Sequence, residues 1–493
     1  MMKNAMLARI GLSRHAGQRR PGKADRARIW IAGHAIALLM ASAPTGACAD
    51  PIDDYVQAQM VRQHVPGLAV AIVQRGRIVR AQGYGLANLE LSVPVHPDTL
   101  FKSGAVGMQF TAAATMLLVE DGKIGLDDPV RRFLPNAPQS WAPITVRQLL
   151  NHTSGLPATP NGEFRTDYTD DELLGIIYKQ DLNFPAGLRW RFSYTDYIVL
   201  GFIIKKVTGE PYTGLLAKRL FAPLGMRTAR PIDELAIVPN RAAGYEWREG
   251  RLRNAEWVSP TANSTADGTL YLSALDYAAW AAALSSRAAL KPASWAAIAQ
   301  PARLLSGRTY HYGFGWFLGR GKGQDVWRHS GNWQGFRTSI IHYLSDEMTV
   351  IVLLNADSGD PDIIARHVAA LVDPKLAGPP AVPIAYREPQ LGPRLKDLLQ
   401  RIATGTPDYG DFAYVSKLDF TDMITEDRTI LRTLGSLREI ALFDRGQSGD
   451  DSTYRYRARY DAGVVEISLG YAPNGKIGSF DLALVEDWNA PLQ

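Results

Sequence analysis

The sequence predicts an α+β protein: an antiparallel sheet flanked by helices and carrying a helical subdomain, followed by a small C-terminal α+β domain. Three observations predict it. Strand-like runs come early, helical runs fill the middle and strands return late, an order that lets both ends of one domain complete a single sheet. A stretch rich in proline then interrupts the chain, and beyond it two helical periods give way to alternation with period two.

Residues 1–49 read as a signal peptide: a basic segment ending at Arg28, an apolar run Ile29 to Ala43, and the small-residue site Ala47-Cys48-Ala49, with cleavage expected after Ala49. The apolar run is short for a membrane span, which needs about 20 residues. The expectation is therefore a periplasmic or secreted protein with no stable membrane span once the leader is removed. The leader also explains the formal charge of +5, since it holds eight Lys/Arg against one acid and leaves 46 basic and 48 acidic residues in the body. A body so balanced gives no support to nucleic-acid binding. Cys48 is the only cysteine, so the mature chain has no disulfide framework, thiol nucleophile or cysteine zinc site.

The segment "IDDYVQAQMVRQHV" has helical spacing until Pro66-Gly67 breaks it, and "LAVAIVQ" with "RIVRAQGYG" reads as a hairpin across Arg75-Gly76. Leu100 to Val130 resumes a helix that Gly122 stops, and "ITVRQLLNHTSGLP" adds a short one closed by a loop. Residues 171–230 are mostly helical in pattern; "YGFGWFLG" and "TSIIHYLSDEMTVIVLLNA" are late strands. This domain spans 50–373. A proline-rich linker is expected at 374–390, and a domain of two helices and an antiparallel sheet at 391–493, where Tyr454, Tyr456, Ala458 and Tyr460 alternate with Arg455, Arg457 and Arg459 as a half-buried strand with a charged outer face.

From Val65 to Asp373 the motifs "GKIGLDDPV", "ITVRQLLNHTSGLP", "FSYTDYIVLG", "LGFIIKKVTGEPY", "PLGM" and "RHSGNWQGF" fall in one order. In these the chain resembles the serine β-lactamase and penicillin-binding DD-peptidase family, in its class C-like esterase and D-peptidase branch. The resemblance implies a serine hydrolase built on three elements: a Ser-x-x-Lys at a helix start, where an amine takes the serine proton; a Tyr-x-Asn that relays protons and holds substrate; and a Lys/His-x-Gly strand that closes the site. It implies no cofactor and no metal.

The register of the first element is set by Phe101, Gly104, Phe110, Thr111 and Ala112, and it puts Ala105 at the serine and Met108 at the lysine. Alanine has no nucleophile, and a thioether cannot act as a base near neutral pH. The second element reads as Tyr194-Thr195-Asp196 and the third as His329-Ser330-Gly331. No serine in the chain has Lys three residues after it. Ser103, Ser154 and Ser330 are not placed as substitutes, and the histidines show no metal-binding spacing.

The expectation is a catalytically silent member of this family whose cleft, with Tyr194, Asp196, His329 and Gly331, binds a small molecule or peptide over an apolar floor of Ala105 and Met108. Two other readings stand beside it. One is hydrolysis of esters, D-amino-acid peptides or β-lactams by a non-standard route through Tyr194, Asp196 or His329; the other is a protein-interaction role for the C-terminal domain. Each site residue also has a structural reading, Asp196 as a helix cap above all.

Overall fold

The computed structural model describes residues 50–489 apart from Asn161, Lys322, Gly323 and Glu486, and the leader assigned to 1–49 lies outside the described residues. Helix α1 (Pro51–Arg62) starts on Asp50, whose carboxylate accepts the Ile52 N–H at 2.9 Å. The hairpin of β1 (Gly67–Gln74) and β2 (Arg77–Asn88) turns at Arg75 and Gly76, both at positive φ. A 3-10 turn, Gly104–Gly107, leads into α2 (Met108–Glu120), which is buried almost all round and therefore central. Helix α3 (Val146–Leu150) is closed by a capping box of Thr145 and Gln148. Helix α4 (Tyr194–Thr208) begins on Ser193 and ends at Gly209 with φ 77°. Helix α5 (Ala274–Ser286) precedes four strands, β3 (Phe317–Gly321), β4 (Gln324–Trp333), β5 (Phe336–Tyr343) and β6 (Met348–Leu354), and then α6 (Pro361–Val372).

The strands form an antiparallel sheet in the order β3-β4-β5-β6-β1-β2, with Val93–Pro94 at the far edge. β1 pairs with β6, Leu68 opposite Leu354, so the early hairpin joins the late strands as the sequence order predicts. β1 and β6 are buried along almost their whole length because both faces are covered. One face, with Ala69, Ala71 and Ile351, shares a core with Phe110 and Trp280; the other, with Val70 and Val352, packs on Val56 of α1 and Ile364 and Val368 of α6.

The C-terminal part holds α7 (Leu391–Thr404), α8 (Lys417–Thr433) and a four-stranded antiparallel meander, β7 (Leu437–Ser448), β8 (Asp451–Tyr460), β9 (Val464–Tyr471) and β10 (Ile477–Val485). Tyr456 and Ala458 face Leu395, Leu399 and Ile402 of α7. The opposite face is not simply a charged outer surface. Arg457 is fully buried, its guanidinium bonded to Glu466 at 2.7 Å and to the Trp488 carbonyl at 2.7 Å, because the chain folds back across it after β10. The stretch 374–390 is pinned rather than free, since Ile384 N–H donates to Leu442 O at 2.7 Å and Ala381 N–H to Asn489 O at 3.2 Å.

The meander docks on the wall of the larger domain. Arg189 pairs with Asp451, both side chains about a tenth exposed, and lies 4.1 Å over the Tyr414 ring. Gly449 N–H donates to Thr309 O at 3.0 Å, and Arg191 Nη1 to Tyr414 O at 2.9 Å.

Candidate active site

The turn before α2 is held by main-chain packing. Gly104 has φ 52° and lies so near β4 that a Cβ would stand 2.6 Å from Asn332 N; a Cβ on Gly331 would stand 2.6 Å from Ala105 N. Gly331→Ala should therefore wedge β4 off the helix start and cost about 1–3 kcal/mol, read as a lower midpoint in chemical denaturation. Ala105 is held against this strand at the cavity wall. Met108 is not: it is fully buried in the main core and lines neither cavity described below, so the floor expected of Ala105 and Met108 is Ala105 alone.

Ser103 and Ser154 are structural. Ser103 Oγ donates to Gly268 O and accepts from Leu270 N–H, with no exposure. Ser154 Oγ donates to Asp196.

That bond exposes a correction. Asp196 is 0% exposed and turned away from the cleft, with Oδ2 2.9 Å from His152 Nδ1. Burial pushes the Asp196 carboxyl well up, against the Ser154 bond, and pushes His152 well down, so burial disfavours the charged form of each. The reason is helical phase. Ser193 caps α4 by accepting the Asp196 N–H at 3.2 Å, which places Asp196 in the first turn facing inward. The side chains that do line the cleft here are Phe192 and Tyr194, 5.1 Å apart between ring centroids. The Tyr-x-Asn element implied by the resemblance thus fits two residues earlier, with Phe192 at the tyrosine and Tyr194 at the asparagine. Phe192 carries no hydroxyl, and its ring lies 6.0 Å from that of His329.

His329 is on the cleft wall but is spoken for. Its Nδ1 is 2.7 Å from Ser330 O, so that nitrogen carries the hydrogen, and Nε2 accepts from Tyr312 at 3.2 Å. Burial lowers it to about 4, leaving the imidazole neutral at pH 7.

Two cavities meet at Ala105 and Tyr194. The larger, about 880 Å³, runs between the domains from Phe192 and His329 to Arg455 and Asp481. The smaller, about 240 Å³, has mostly apolar walls that include Phe164, Tyr168, Leu173, Ile198 and Trp333. Asp267 is its ionisable exception besides Glu163. Its Oδ1 is buried without a hydrogen-bond partner, and burial raises the carboxyl to about 6. Because the folded value exceeds the unfolded 3.8, the stability tied to the neutral acid is full below about pH 4 and is lost as pH rises through about 6. Asp267→Asn should therefore stabilise the chain at pH 7.5, by up to about 3 kcal/mol, and give no gain at pH 3.5; denaturation curves at the two pH values decide it.

The family described as Beta-lactamase matches residues 52–373. A penicillin-binding protein of Bacillus subtilis is 30% identical over 309 residues, covering 58% of this chain and 68% of its own length. A D-aminopeptidase of Gluconobacter oxydans is 27% identical, covering 64% of this chain and 60% of its own. Among solved structures, the octameric penicillin-binding protein homologue from Pyrococcus abyssi superposes with a TM-score of 0.58 at 24% identity, over 88% of this chain and 96% of that one.

Proposed function

The chain belongs to the β-lactamase family over residues 52–373, and from that premise we propose that it is a ligand-binding member silent for acyl-enzyme chemistry. The observation that carries this reading is the set of side chains where the three chemical groups belong. Ala105 offers no nucleophile, Met108 no amine and Phe192 no hydroxyl, while the cavity beside Ala105 and Phe192 stays open. Binding outlives the loss of such groups. The apolar smaller cavity favours a ligand with an apolar or aromatic part, and Asp267 favours an amine or hydroxyl donor. The leader supports export to the periplasm or medium. Turnover assays on the native chain, argued below, test the silence.

One observation favours a second reading. Asp267 sits beside Ala105 in an apolar wall, where a carboxylate could take a proton from a water attacking an ester or amide carbonyl. Any native hydrolysis by this route rises through about pH 6 and disappears in Asp267→Asn. Activity indifferent to that substitution removes the reading.

A further inference from the structure

The cavity between the domains has a lobe that the degenerate machinery does not use. Side chains alternate along β4, so His329 and Gly331 face one side of the sheet while Arg328 and Ser330 face the other. Ser330 pairs with Ser339 and Asn332 with Arg337, which puts Arg337 on the same side as Arg328. Helix α6 covers that side, where Asp362 accepts from Ser339 Oγ at 2.5 Å, and it adds Arg366. All three arginines line the cavity, with Arg455 of β8 in its other wall.

Asp360 and Asp362 act on these arginines through space, but no carboxylate pairs with them directly. Among the described residues, Arg328, Arg337 and Arg366 have no carboxylate within 4.0 Å, and Arg337 Nε is buried with no hydrogen-bond partner. Arg328 rests against the Phe317 ring at 5.6 Å; burial holds its guanidinium below the usual value, with Arg366 and Arg455 adding to the effect against Asp362. The nearby acids are engaged: Asp360 accepts from the Asp362 and Ile363 N–H groups at the start of α6, Asp362 accepts from Ser339, and across the lobe Glu466 is bonded to Arg457. Asp481 completes that far wall. Gathering three half-buried guanidinium groups in one wall, without direct carboxylate partners, carries a cost of like-charge repulsion. A bound oxyanion removes it, because arginine forks match carboxylate and phosphate oxygens.

We propose that Arg328, Arg337 and Arg366 form an oxyanion subsite, for a carboxylate or phosphate group, on the face of β4 opposite His329. It does not depend on whether the cleft turns anything over.

The test uses the full chain with sodium phosphate and sodium acetate as probes, ionic strength being held constant with sodium chloride. Calorimetry and thermal unfolding are read together. The expected result is saturable binding of at least one probe that raises the unfolding midpoint. Each of Arg337→Gln and Arg366→Gln weakens it about tenfold, and Arg132→Gln, at an exposed pair with Asp128, leaves it unchanged. A preference for phosphate assigns the subsite to a phosphate-bearing ligand, and a preference for acetate to a carboxylate. Without probe, the two variants unfold no lower than the native chain, since they relieve repulsion. The proposal is overturned if neither probe acts beyond chloride, if the variants bind as the native chain does, or if they unfold lower by the same amount with and without probe.

Discussion

The native chain will leave a chromogenic cephalosporin and a short nitrophenyl ester at their buffer rates, and the variant Ala105→Ser, Met108→Lys, Phe192→Tyr will turn over at least one of them. In a working triad enzyme of another fold, removing the nucleophile costs about 10⁶ in rate, so the native chain has little to work with. Two of the three restored groups enter at the cavity wall, Ala105→Ser and Phe192→Tyr. The hydroxyl introduced by Ala105→Ser would stand at the start of α2 against β4, and the one introduced by Phe192→Tyr would lie near His329. The amine of Met108→Lys enters a fully buried position, which pushes it toward the neutral form that can accept a proton. Gly107 stays as it is, because a Cβ there would lie 2.6 Å from Gly268 Cα. A gain of at least about 10² over the native rate is expected from positioned acid and base groups alone. Native turnover that survives Ala105→Gly would sink the reading of a silent site.

Asp196→Ala will lower the unfolding free energy by about 1–3 kcal/mol, the usual cost of leaving a buried polar group without its partner. It strands His152 Nδ1 and Ser154 Oγ in a region without water access, where His152 Nε2 already lacks a partner. Asp196→Asn should recover much of the loss, since its amide can still accept from Ser154 and donate to the imidazole. Urea titrations of the three proteins give the comparison. A chain of unchanged stability whose ligand affinity falls would instead return Asp196 to the cleft.

Much of the fold was legible because its signals are local. The broken helix, the Arg75-Gly76 hairpin and the Gly122 stop each lie within a short window, and the order of strands and helices implied how the sheet closes. For the first site element, flanking Phe101, Gly104 and Phe110 suggest a register, and the structure brings Ala105 but not Met108 to the cavity wall. The second was misplaced by two residues because Tyr-x-Asp imitates Tyr-x-Asn. The Ser193-x-x-Asp196 spacing, a capping signature, was the available clue that Asp196 lies inside a helix turn. Nothing local announces that Asp451 meets Arg189 across 262 positions, or that Arg457 is buried. Such contacts depend on how the two domains meet, which periodicity does not encode.

The contacts that hold the turn before α2 join main-chain atoms: Gly104 to Asn332, Gly107 to Gly268, Gly331 to Ala105. Selection on side chains passes such joints by. A lineage can therefore shed the reactive groups at 105, 108 and 192 without disturbing the frame, and only three replacements separate this chain from one that carries them all again. Divergence at these positions is therefore a poor clock for decay of the architecture.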